Sequence, residues 1–73
     1  MTKGQCKAAR ALLGIGQQKL ADLAGVKLSA VCDFEAGRSV SAQLEQKMES
    51  ALADAGIEFQ NGRRPGLRMR EAR

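Results

Sequence analysis

Apolar residues recur along this 73-residue chain in two rhythms, helical as far as Gly56 and alternating after it. Over residues 3–13, Cys6, Ala9 and Leu13 fall at i, i+3 and i+7, which predicts a first helix with an inward stripe widened by Leu12 and closed by Gly14. Residues 17–24 predict a second helix, with Leu20 and Ala24 one turn apart and Ala21 presenting a single methyl inward. Gly25 ends it, because a residue without Cβ takes φ > 0 where the chain turns sharply. Val26, Val31 and Phe34 resume the stripe and predict a third helix from about Leu28 to Ala36, ended by Gly37. Ser41 is placed to cap a fourth, in which Leu44, Met48, Ala51, Leu52 and Ala55 share one face. Gly56 then supplies a left-handed residue, and Ile57 is expected to touch Leu52.

Two charges fall on inward faces. Arg10 lies between Cys6 and Leu13 on the first stripe, and Glu35 follows Phe34 four residues after Val31. A lone buried charge is costly, so the two are expected to meet. The spacing of small, turn-forming and apolar residues over 17–37 is that of a helix-turn-helix, two short helices crossing tightly.

Beyond Gly56, Ile57-Glu58-Phe59-Gln60 and Leu67-Arg68-Met69-Arg70 alternate apolar with polar residues, and the joining Asn61-Gly62-Arg63-Arg64-Pro65-Gly66 is rich in turn formers. A C-terminal β-hairpin is predicted. Two strands alone are marginal in water, so the hairpin must pack on the helices or pair its edge with a second copy. Pairing between copies is the preferred expectation, with Ile57, Phe59, Leu67 and Met69 as the candidate dimer interface; a hairpin folded on its own chain and a flexible tail are the alternatives. The chain thus divides into residues 1–56, the helix-turn-helix unit, and residues 57–73, a hairpin with an arginine-rich tail.

The stretch from about Cys6 to Leu52 resembles the lambda-repressor-like, Xre-type (Cro-like) family of phage and bacterial DNA-binding domains. The resemblance rests on Gln17 opening the second helix, Leu20-Ala21, Leu23-Ala24-Gly25-Val26 and the exit Phe34-Glu35-Ala36-Gly37-Arg38. It implies a mainly α, compact four-helix fold and a partly buried ion pair between Arg10 and Glu35. It also implies a DNA-binding transcriptional regulator, a repressor acting as a homodimer on two half-sites of double-stranded DNA. The third helix would read base edges through Leu28, Ser29 and Asp33, with Lys27 and Ala30 beside them and Cys32 also outward. Gln17, Gln18, Lys27 and Arg38 would anchor phosphates. The chain departs from the family by carrying Leu, Ser, Cys and Asp where Arg, Gln, Thr or Asn usually discriminate bases. Modest affinity, steep salt dependence and relaxed specificity are therefore expected. A protein-interaction module, antitoxin-like or accessory, that docks a partner through Leu28 and Cys32 is the competing reading.

Length and composition agree with one small helical domain: 44 % of residues are hydrophobic, yet only two are aromatic, which suits helices packed through Ala, Leu and Val. The formal charge of +4 is unevenly placed. Residues 1–59 balance seven cations with seven acids, whereas residues 60–73 set Arg63, Arg64, Arg68, Arg70 and Arg73 against Glu71 alone. Such an arginine cluster suits phosphate contact. Cys6 and Cys32 are expected to stay reduced, as small buried or half-buried hydrophobes; a redox switch at Cys32 is the alternative. With no histidine, no metal-ligand spacing and no phosphate-cradling glycine loop, no enzyme, metal, cofactor or small-molecule substrate is expected. No apolar run suggests a signal peptide or a membrane span, so a cytoplasmic protein is expected.

Overall fold

In a computed structural model, which describes residues 1–60 and 66–69, the chain forms four helices followed by a two-stranded antiparallel sheet. The helices are α1 (Lys3–Leu13), α2 (Gln17–Ala24), α3 (Leu28–Glu35) and α4 (Ala42–Asp54); the strands are β1 (Ile57–Gln60) and β2 (Gly66–Met69). This is the mainly α architecture expected, with α2 and α3 as the helix-turn-helix. The turn residues 61–65 and the arginines Arg63, Arg64, Arg70 and Arg73 lie outside the described residues. No helix among the described residues is long and apolar enough to cross a membrane.

Local chemistry sets the helix ends. Thr2 and Gln5 form a capping box: the Thr2 hydroxyl accepts from the Gln5 N–H at 3.0 Å, and the Gln5 side chain accepts from the Thr2 N–H at 2.8 Å. Ser41 accepts from the Leu44 N–H at 3.2 Å and starts α4. At the turn between α2 and α3, Gly25 takes φ 68° and ψ 36°, a left-handed conformation that a side chain would strain. The Val26 N–H then reaches back to the Ala21 carbonyl at 3.0 Å, which aims Val26 into the domain.

The core gathers one stripe from each helix. Cys6 and Ala9 of α1, Leu20 and Ala21 of α2, Val31 and Phe34 of α3, Met48 and Leu52 of α4, and Ile57 of β1 form one buried cluster. Ala21 carries only a methyl and is fully buried, so α2 and its neighbours pack closely there. Leu13, Val26, Val40 and Ala51 pack around the rim of this cluster. Leu12 departs from expectation, being 49 % exposed. It lies on the flank of α1, where Ala8 and Ala11 line a shallow groove with Leu67 of β2.

The hairpin packs on its own chain, β2 against α1 and β1 against α4. Ile57 pairs with Met69 and Phe59 with Leu67, so all four side chains share the face turned to the helices. Ile57 is only 2 % exposed, its side chain buried in the core of its own chain. Phe59 and Leu67 are half-buried against the core, and Met69, at the open end, is exposed. On the other face Arg68 donates to Glu58 across the strands at 3.1 Å. Gln5, a buried polar residue that the apolar pattern passes over, fastens the hairpin: its Nε2 donates to the Gly66 carbonyl at 2.9 Å. Substituting Ile57→Ala is expected to cost about 2–5 kcal/mol in urea unfolding, while Met69→Ala changes stability by less than about 0.5 kcal/mol. Equal effects from the two substitutions would show that the hairpin does not pack as described.

Candidate nucleic-acid interface

A buried polar knot fixes α3 against α1 and α2. Glu35 is 3 % exposed and receives four donor bonds from two helices, α1 and α2. Arg10 grips it with two bonds of 2.7 Å, Nε to Oε2 and Nη2 to Oε1. The Cys6 thiol donates to Oε2 at 3.1 Å, and the Gln17 amide donates to Oε1 at 3.0 Å. A further Arg10 nitrogen, Nη1, donates to the Ile15 carbonyl at 3.2 Å, tying the α1–α2 connection to the same knot. The expected Arg10–Glu35 ion pair is therefore present and is part of a larger network.

Electrostatics follow from that geometry. Burial pushes the Glu35 carboxyl upward, but bonds from Arg10, Cys6 and Gln17 together outweigh it and bring it down to about 2. Burial, with the hydrogen bond to Glu35 and its negative charge, pushes the Cys6 thiol up to about 12, so it remains a protonated donor. The hydrogen bond to Glu35 raises Arg10 further above its ordinary value.

With Val31, Phe34 and Glu35 held inward, α3 presents its opposite side to solvent. Lys27, Leu28 and Ser29 are exposed at its start, and Asp33 is partly exposed one turn later. Arg38, 72 % exposed, follows the helix and donates to Asp33 Oδ1 at 3.1 Å. A groove runs beside this face, walled by Lys27, Ser29 and Asp33 on one side and Ser39, Ser41 and Leu44 on the other. The structure thus brings Lys27, Leu28, Ser29, Asp33 and Arg38 to one surface.

Three candidates behave differently from expectation. Ala30 is buried at 8 % exposure, because it lies four residues before Phe34 and shares its face; its methyl does not reach the surface. Gln17 opens α2 as expected, but its carboxamide is turned inward, donating to Glu35 and accepting from the Cys32 thiol at 3.4 Å. Cys32 is consequently half-buried rather than outward. Gln18 is exposed, with its amide donating to Asp22 at 2.9 Å. The helix starts differ: α4 carries the Ser41 cap expected from sequence and α1 a Thr2 cap, whereas the N-caps of α2 and α3, Gly16 and Lys27, make no side-chain cap bond.

No protein-family model matches the chain, and no curated protein matches it.

The knot gives a pH signature. Because the folded Glu35 sits at about 2 against an ordinary 4.5, its stabilising share is complete above pH 4.5 and is lost as pH falls towards about 2. The melting-temperature gap between the wild type and Glu35→Gln should therefore narrow over that interval. Arg10→Ala, which strands a buried carboxylate, should cost about 3–5 kcal/mol at neutral pH. A gap that stays constant down to pH 2 would contradict this role for Glu35.

Proposed function

We propose that the protein is a DNA-binding regulator of the lambda-repressor-like kind, with α3 as the helix that enters the major groove. The observation that carries this reading is the division of α3 into two sides. Val31, Phe34 and Glu35 are sealed into the domain, while Lys27, Leu28 and Ser29 stand exposed at the end of the helix that a helix-turn-helix offers to base edges. A major groove about 12 Å wide admits one such helix.

The flanking chemistry suits a polyanion. Lys27 and Arg38 place cations at either end of α3, and α2 starts without a side chain over its first N–H groups, a favourable setting for phosphate. These contacts would orient the domain, and Ser29 and Leu28 are left to meet bases. Two copies on two half-sites remain part of the proposal, as does repression by occupancy. Docking of a protein partner through Leu28 and Cys32 together has less support, because Cys32 turns to Gln17.

Lys27→Ala and Arg38→Ala are each expected to weaken binding to all duplexes alike and to lower the slope of log affinity against log salt by about 1. Fluorescence anisotropy on labelled duplexes at several salt concentrations measures both effects. Wild-type affinity that does not respond to salt, or no binding to any duplex at low salt, would refute the proposal.

A further inference from the structure

Resting on the DNA-binding reading, we infer that Leu28 selects a thymine in the bound site by touching its C5 methyl group. Of the polar side chains near α3, Gln17 has its amide nitrogen on Glu35 and its oxygen on Cys32. Asp33 holds Arg38, and Gln18 holds Asp22. Gln17 is thus committed at both polar atoms inside the chain, while the exposed Asp33 and Gln18 each have one polar atom engaged. Ala30 is buried. The exposed side chains at the start of α3 are therefore Lys27, Leu28 and Ser29.

These three differ in what they can distinguish. Lys27 is a cation suited to phosphate, and a serine hydroxyl bonds to several bases or to phosphate without preference. Leu28 is the large apolar side chain exposed on α3, at 40 %, and it neighbours a cation on one side and a hydroxyl on the other. Among the base edges of an unmodified major groove, the apolar group is the C5 methyl of thymine. A leucine pressed against any other edge desolvates polar atoms without bonding them, so discrimination falls to the methyl contact.

The experiment uses the whole 73-residue chain and a duplex that it selects from random sequence. Each thymine is replaced in turn by deoxyuridine, which removes only the methyl. At one position the wild type should lose about fourfold in affinity, the value of one buried methyl group. Leu28→Ala, which alters an exposed position and leaves the core intact, should bind thymine and uracil duplexes equally, while Ser29→Ala should keep the fourfold preference. Replacing that thymine by cytosine and then by 5-methylcytosine should restore about fourfold between the last two. Equal binding of thymine and uracil at every position by the wild type overturns the inference while leaving DNA binding standing; so does a preference that survives in Leu28→Ala. Failure to select or retain any duplex overturns the DNA-binding reading and this inference together.

Discussion

The fold turns on one buried carboxylate. Glu35 ends the third helix inside the domain, where an ionised group without partners would be several kcal/mol unfavourable. Donors from the first and second helices converge on it, so the ion can be satisfied only when α1, α2 and α3 are in their native relation. Apolar packing among Ala, Leu and Val sets no such single arrangement, because side chains of similar shape can slide past one another. The knot supplies geometric selection that a small core with two aromatic residues lacks.

That selection bears on the exposed side of α3. Rotating the helix by a fraction of a turn would expose Val31 or Phe34 and submerge Ser29. Bonding Glu35 on one side of the helix and burying Val31 and Phe34 next to it fixes which residues face outward. Gln17 extends the restraint, since its oxygen receives the Cys32 thiol halfway along α3. The side chains that hold the helix in place are thereby distinct from Lys27, Leu28 and Ser29, which stand exposed.

Much of this was legible from the order of residues. Glycines mark the ends of the helices, and the apolar period identifies their inner faces, so the four helices fall where the pattern puts them. Arg10 and Glu35 were readable because a charge on an apolar stripe demands an opposite charge. Ala30 was legible in principle, four residues before Phe34, but a lone methyl fits either face. The inward turn of Gln17 and the exposure of Leu12 depend on which neighbour covers a helix flank, and spacing within one helix carries no such information. Thr2 and Gln5 did carry the capping-box spacing, yet the second task of Gln5, holding β2, follows from where the hairpin lies. Alternation at Ile57 identifies an apolar face without naming what covers it, and here helices of the same chain do.

The uneven distribution of caps has a consequence for association. The N-caps of α2 and α3, Gly16 and Lys27, make no side-chain cap bond, although within the first turn of α3 the Ala30 N–H is already bonded to the Lys27 carbonyl. Arg38 is in the opposite position: before it can serve an external anion fully, it must loosen its hold on Asp33. Under the proposed reading, the backbone at the start of α2 would meet an anion without giving up a side-chain cap, whereas the Arg38 guanidinium would give up part of its bond to Asp33.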